Sequence, residues 1–142
     1  QGLAVKKIIL AEDNLMNQKV ISNMLKRLGY EVHIANNGLE LLQMLDSDSY
    51  GLVLMDLEMP VMNGYEATIA IRKAEQAEAS MRIPIICVTA SAMDGVKEKC
   101  IAIGMDGFIT KPVSFQTLSE AVHAGLNCPT ASTLSDGFSS TY

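Results

Sequence analysis

The chain has 142 residues and a formal net charge of −5, from 16 acidic and 11 basic side chains. This length is typical of a single domain, which buries roughly two thirds of its unfolded surface without disulfides or metals. The acidic balance and the lack of a dense Lys/Arg cluster argue against nucleic-acid binding, and the three cysteines lack the spacing of a metal site or a disulfide framework.

The first apolar run covers residues 5–11 and leads directly into Glu12 and Asp13. A run this short and this apolar favours a strand that is buried on both faces. Beyond it, Asn14 is a suitable helix cap and Gly29 a suitable helix end. The apolar positions that give this predicted helix its period are Met16, Val20, Ile21, Met24, Leu25 and Leu28.

Three later apolar runs also end in a side chain that is able to take part in chemistry. Residues 52–55 lead to Asp56, residues 83–88 lead to Thr89, and residues 107–110 lead to Lys111. In a parallel sheet the carboxyl ends of the strands meet at one edge, which is where such sheets bind ligands. We therefore expect an acid pair, a third acid, a hydroxyl and a lysine to converge at that edge.

Strand-like and helix-like segments alternate along the whole chain. The remaining elements are predicted at residues 30–35 (a strand) and at residues 39–45, 65–79, 94–103 and 115–126 (helices). The alternation predicts an α/β fold, a flavodoxin-like doubly wound parallel sheet of five strands in the order 2-1-3-4-5. Residues 6–126 are expected to form this domain, between an N-terminal extension over residues 1–5 and a Ser-rich tail or linker over residues 127–142.

The residues at these strand ends resemble those of the response-regulator receiver domain of two-component phosphorelays. The shared motifs stand in the same order, namely Glu12-Asp13, Asp56 with the loop over residues 59–64, Thr89-Ala90 and Lys111-Pro112. The resemblance covers residues 6–126, and residues 11–18 and 86–93 are most similar to receivers of hybrid histidine kinases. We expect either the receiver of a larger kinase or a stand-alone relay protein.

Asp56 is the expected phosphoacceptor, because a carboxylate can attack phosphorus to give an aspartyl phosphate. Three converging carboxylates repel one another unless a cation lies among them, and hard oxygen ligands favour Mg²⁺, with Mn²⁺ as a substitute. Glu12, Asp13 and Asp56 are the candidate metal ligands, and the resemblance implies that the backbone carbonyl of Glu58 completes them. Lys111 would then neutralise the phosphoryl oxygens.

The resemblance also implies a conformational switch. The Thr89 hydroxyl would bond a phosphoryl oxygen, and its movement would be coupled to Phe108, which precedes the lysine by three residues. Because Phe has no hydroxyl group, this coupling must work by packing alone. The family further implies a cis peptide at Lys111–Pro112, and an influence of Glu58 and Ser91 on the lifetime of the phosphoryl group. Taken alone, Phe108 is more simply a core residue.

Two other functional classes are compatible with a strand-end acid. A haloacid-dehalogenase-type phosphatase also uses a nucleophilic Asp with magnesium, but it places that Asp after its first strand, with a second Asp two residues on. Here the candidate follows the third strand, and Glu58 lies two residues beyond it. The other class is a pure binding module, either a flavin site or a degenerate receiver, although the complete acid, hydroxyl and lysine set argues against degeneracy.

The expected partner is a histidine kinase or a histidine phosphotransfer protein. The domain would be a phosphoacceptor that assists its own phosphorylation and dephosphorylation rather than an enzyme with a separate substrate, and it would be a monomer or a weak dimer. No apolar stretch reaches the roughly 18 residues of a membrane span, and no secretory signal is recognisable. We therefore expect a cytoplasmic domain without membrane contact, although a parent protein could be membrane-attached.

Overall fold

The computed structural model describes residues 6–79, 81–90 and 93–127. Three expectations lie outside the described residues: the extension over residues 1–5, the role of Ser91, and all of the tail beyond residue 127. The elements in chain order are β1 (Lys7–Ala11), α1 (Leu15–Arg27), β2 (Glu31–Ala35), α2 (Gly38–Ser47), β3 (Leu52–Met55), α3 (Gly64–Glu78), β4 (Ile85–Thr89), α4 (Val96–Ile103), β5 (Gly107–Thr110) and α5 (Phe115–Asn127).

The five strands form one parallel sheet in the order β2-β1-β3-β4-β5. This confirms the predicted doubly wound fold and its strand order. The central pair, β1 and β3, is in register from Ile8 opposite Leu52 to Ala11 opposite Met55. The residues that follow Ala11 and Met55 therefore leave the sheet side by side.

Both faces of the sheet are covered, which explains why β3 is apolar at every position. Val53 and Met55 belong to the core on the face of α2, α3 and α4, whereas Leu52 and Leu54 belong to the core on the face of α1 and α5. All four of these side chains are fully buried. The strand is consequently held from both sides immediately before Asp56.

The residues that α1 buries differ in part from the residues that give it its apolar period. Its buried residues are Gln18, Ile21, Ser22 and Leu25, whereas Met16 and Val20 of the predicted apolar set are exposed. The cap is as expected, since the Asn14 side chain accepts a hydrogen bond from the Asn17 N–H at 3.0 Å. The apolar period and the buried face therefore coincide only in part, because two polar side chains on α1 point inward.

Element boundaries differ from the predictions where local chemistry interrupts the regular pattern. The fourth helix begins at Val96 rather than at residue 94, because Gly95 has a left-handed φ of 89° that a helix interior does not allow. β4 begins at Ile85 rather than at residue 83, after Pro84, which has no N–H to donate to a neighbouring strand. α5 extends through Asn127, one residue into the segment predicted as a tail.

Among the described residues, no helix combines the length and the apolar character needed to cross a bilayer.

Candidate functional site

The acid cluster forms where β1 and β3 end. The Asp56 N–H donates to the carbonyl of Ala11 at 3.0 Å, so Asp56 lies directly beside the backbone that leads into Glu12 and Asp13. One carboxylate oxygen each from Glu12, Asp13 and Asp56 lies within 4.8 Å of the other two. Glu12 is 1% exposed and Asp56 is 7% exposed, whereas Asp13 is open to solvent. The structure therefore brings together the three carboxylates that the sequence singled out.

Lys111 reaches the same cluster from the end of β5. Its Nζ donates to Glu12 Oε1 at 2.8 Å and to Asp56 Oδ2 at 3.3 Å. The backbone holds it in place, since the Lys111 N–H donates to the carbonyl of Thr89 at 2.9 Å. The peptide bond between Lys111 and Pro112 is cis, as the resemblance implies. The Lys111 ammonium group thus bridges two carboxylates, one that follows β1 and one that follows β3.

The electrostatics of the site favour a further cation. Burial and the negative charge of Glu12 raise the pKa of Asp56 to about 6, against the opposing effects of Lys111 and of the Glu58 N–H. Burial also works against the charged form of Lys111, but its hydrogen bond to Glu12 and the charges of Asp56 and Glu12 outweigh burial, and the pKa of Lys111 is raised. With Lys111 charged and the acids ionised, three negative charges face one positive charge.

The loop after Asp56 folds back onto the acid. The Gly64 N–H donates to the carbonyl of Leu57 at 3.0 Å, and a side-chain carbon at Gly64 would lie 2.4 Å from the Asp56 backbone oxygen. Only glycine allows α3 to begin this close to the strand end. Within the loop, the Glu58 N–H donates to Asp56 Oδ1 at 3.3 Å. The role of the Glu58 carbonyl as a metal ligand stays a prediction.

Thr89 and Phe108 lie on neighbouring strands, β4 and β5. Thr89 is buried at the end of β4, where it is the register partner of Thr110. Phe108 is buried in the core on the face of α2, α3 and α4, and is the register partner of Cys87. Their role as a switch therefore stays a prediction.

Sequence reasoning missed two residues that hold the acid pair. Gln18 Nε2 donates to the backbone carbonyl of Glu12 at 2.6 Å, and the Asn14 N–H donates to Glu12 Oε2 at 3.1 Å. A signal for Gln18 was present in the sequence, because it stands three and seven residues before Ile21 and Leu25, on the buried side of α1. A polar residue at such a position indicates a specific buried contact.

Comparison with known sequences assigns the chain to a family. The profile of the "Response regulator receiver domain" family matches residues 8–123. The chain is 42% identical over 123 residues to hybrid signal transduction histidine kinase I of Dictyostelium discoideum, and 40% identical over 144 residues to histidine kinase 5 of Arabidopsis thaliana. These matches cover 83% and 85% of this chain but 7% and 16% of the two kinases, so the chain spans a small part of their length.

Solved receiver domains share the fold. The receiver of the sensor histidine kinase PA1611 from Pseudomonas aeruginosa PAO1, which holds magnesium in its active-site cleft, has a TM-score of 0.78 and 36% identity, covering 87% of this chain and 98% of that one. A chain in the complex of the histidine phosphotransfer protein Ypd1 with the Ssk1 receiver of Saccharomyces cerevisiae has a TM-score of 0.80 and 27% identity, covering 88% and 91%. Since the family profile spans most of the sequence and solved receivers share the fold, the chain belongs to the response regulator receiver domain family.

Proposed function

We propose that this domain accepts a phosphoryl group from a phosphohistidine donor onto Asp56, in a magnesium-dependent reaction, and relays a signal by changing conformation. The observation that carries the proposal is the buried Asp56 carboxylate, which lies within 4.8 Å of two further acids and within 3.3 Å of Lys111 Nζ. A buried strand holds this carboxylate at the sheet edge where α/β folds bind ligands. The position after the third strand also separates it from the phosphatase alternative.

In the proposed reaction, one carboxylate oxygen of Asp56 forms a bond to phosphorus while the phosphorus–nitrogen bond of the donor breaks. The imidazole of the donor keeps the electron pair of that bond and takes up a proton. Lys111, which bridges Glu12 and Asp56 in this structure, is placed to bind a phosphoryl oxygen as a point charge. With a pKa of about 6, Asp56 is mainly ionised at neutral pH and therefore able to act as a nucleophile.

Magnesium suits the donor set of this site. Glu12, Asp13 and Asp56 offer carboxylate oxygens, which are ligands that Mg²⁺ prefers, and the Glu58 carbonyl is expected to add a fourth oxygen. When bound, the ion would neutralise charge on the phosphoryl oxygens. Mn²⁺ has similar ligand preferences and is expected to substitute. The magnesium in the PA1611 receiver supports this assignment.

The site would also assist loss of the phosphoryl group, since the groups that stabilise attack by Asp56 would equally stabilise attack by water. The readout would run through Thr89 and Phe108 to the surface of α4 and α5. The Thr89 carbonyl accepts a hydrogen bond from the Lys111 N–H, and Phe108 lies on β5, three residues before Lys111. A new charge at Asp56 would therefore be sensed where β4 and β5 end, with Phe108 responding by packing.

Exposed apolar side chains near the acid cluster support docking of a protein donor. Leu15 is 71% exposed, Met16 is 70% exposed and Val20 is 43% exposed, all at the start of α1. Val61 and Met93, in loops at the same edge of the sheet, are also exposed. We call these five residues the apolar rim. Exposed apolar side chains at this edge would suit a protein contact, and we assign the apolar rim to docking of a histidine phosphotransfer protein or histidine kinase, in keeping with the Ypd1 complex of the Ssk1 receiver.

The proposal is tested by phosphorylation with a labelled phosphohistidine donor in the presence of Mg²⁺. The variant Asp56→Asn should lose the label, because its amide oxygen is not a sufficient nucleophile. Asp46→Asn is the matched control, since Asp46 is an exposed carboxylate on α2, and it should label normally. Normal labelling of Asp56→Asn would refute Asp56 as the acceptor.

A further inference from the structure

The peptide group between the two acids of the pair is held by a buried side chain. The carbonyl of Glu12 belongs to the peptide bond that links Glu12 to Asp13, and it accepts a hydrogen bond from Gln18 Nε2 at 2.6 Å. Because a peptide group is planar, fixing this oxygen also fixes the direction in which the chain enters Asp13. Asp13 itself is exposed, and this peptide group lies directly before it in the chain.

The same amide group makes a second contact. Gln18 Nε2 also donates to Asn36 Oδ1 at 2.9 Å, which uses both of its hydrogens. Asn36 in turn donates from its backbone N–H and from Nδ2 to Glu40 Oε1, at 2.8 Å and 3.0 Å. A continuous chain of hydrogen bonds therefore joins the ends of β1 and β2 to the first turns of α1 and α2.

Burial makes these contacts specific. Gln18 is 7% exposed, so loss of its amide would leave the Glu12 carbonyl without a donor in a site that water reaches poorly. Its position on α1 is itself fixed, because the Gln18 backbone N–H donates to the carbonyl of the cap residue Asn14 at 2.9 Å. The amide is thus pre-oriented rather than adaptable.

We propose that Gln18 is a positioning residue for the metal ligands Glu12 and Asp13. The inference rests on the proposed magnesium-dependent function and adds a residue that contacts neither the ion nor the phosphoryl group. Mg²⁺ demands near-ideal geometry, so two adjacent carboxylates bind it well only when the peptide between them is held still. Residues that orient metal ligands typically change metal affinity by about 10- to 100-fold when they are replaced.

The test is a Mg²⁺ titration of the unphosphorylated domain, followed by the amide signals in nuclear magnetic resonance spectra. Gln18→Met keeps an unbranched side chain of similar length and removes both hydrogen bonds. We expect Mg²⁺ affinity about tenfold lower, and an Asp13 amide signal that is displaced even before metal is added. Gln18→Asn withdraws the amide by about 1.5 Å, roughly one carbon–carbon bond, and is expected to weaken Mg²⁺ in the same direction while keeping the buried position polar.

Ile21→Val is the matched control for stability. Ile21 is buried on the same face of α1, and its replacement removes a methyl group without touching a hydrogen bond. It should bind Mg²⁺ as the unmodified domain does. Unchanged affinity in both Gln18 variants, or an equal loss in Ile21→Val, would overturn the positioning role. Failure of the unmodified domain to bind Mg²⁺ would overturn the proposed function, and the positioning role with it.

Discussion

At the scale of single residues, Asp56 is a carboxylate that the metal-free fold makes costly to ionise. Burial and the charge of Glu12 raise its pKa from 3.8 to about 6. The folded protein therefore binds this proton more tightly than the unfolded chain does, and stability contributed by Asp56 falls as the pH rises from about 4 to about 6. Above that range the full cost of the ionised form remains until a cation offsets it.

The first prediction concerns stability without metal. In the presence of a chelator, Asp56→Asn should raise the free energy of unfolding near neutral pH by on the order of 2 kcal/mol, because it removes the buried charge. Near pH 4 the advantage should almost vanish, since Asp56 is then protonated in the folded domain. Thermal denaturation of both proteins across this pH range measures the difference. An advantage that is independent of pH would show that Asp56 ionisation is not its cause.

The second prediction separates Lys111 from metal binding. Lys111→Ala removes the ammonium group that contacts both Glu12 and Asp56, so phosphorylation or the conformational response should be impaired while Mg²⁺ still binds. Phosphorylation from acetyl phosphate and a Mg²⁺ titration measure the two effects separately. Lys73→Ala, at an exposed position on α3, is the control and should behave normally. A fully normal response of Lys111→Ala would remove Lys111 from the site.

Much of the site was predictable at this scale because each chemical group ends an apolar run. Strand order then brings Glu12, Asp56 and Lys111 together without any further signal. The hydrogen bonds of Gln18 to Glu12 and Asn36 were not predictable, because they join α1 to the ends of β1 and β2. The period of apolar residues along a helix indicates which side chains are buried, but not which groups they bond. The hydrogen bond from the Glu58 N–H to Asp56 was not predictable either, because it depends on how the loop after β3 turns.

At the scale of elements, α1 has two faces that its sequence pattern does not separate. Its inward face carries Gln18 to the acid pair, and its outward face exposes Met16 and Val20. Both residues continue the apolar period, which is why the sequence alone did not identify them as surface. The structure distinguishes them because only one side of the helix can pack on the sheet.

The third prediction tests the apolar rim as a docking surface. Met16→Glu should slow phosphoryl transfer from a phosphorylated histidine phosphotransfer protein, because a charge would be buried on docking, and it should leave phosphorylation by acetyl phosphate unchanged. Ile69→Glu is the control, since Ile69 is an exposed apolar residue on α3 and should not affect either reaction. Comparing both donors distinguishes docking from chemistry. Equal slowing with both donors would contradict a docking role for Met16.

At the scale of the whole molecule, the sheet would link metal binding at the acid cluster to folding. The acids at the ends of β1 and β3 meet only in the folded domain, so a cation that binds them stabilises the native state. The strand order that achieves this was predictable from the alternation of elements, because right-handed crossovers leave few arrangements of a parallel sheet. The exact start of α4 was not, since it depends on the left-handed backbone of Gly95.

The fourth prediction follows from this linkage. Mg²⁺ at about one hundred times its dissociation constant should stabilise the domain by about 2.7 kcal/mol, seen as a higher midpoint of thermal unfolding. Sodium chloride at matched ionic strength is the control and should have little effect. Asp13→Asn should weaken the stabilisation, because it removes one of the three acidic ligands. A midpoint that does not respond to Mg²⁺, or a full response in Asp13→Asn, would contradict the metal site.

The proposed function requires the phosphoryl group to form a bond to the Asp56 carboxylate. Its most direct test is to phosphorylate the unmodified domain with a phosphohistidine donor and Mg²⁺, reduce the acyl phosphate with borohydride, and sequence the peptides by mass spectrometry. We expect conversion to homoserine at position 56 and no reduction of any other carboxylate. Homoserine at position 13, or 5-hydroxynorvaline at position 12 or 58, with position 56 intact would contradict this assignment, as would labelled protein with no reduced carboxylate.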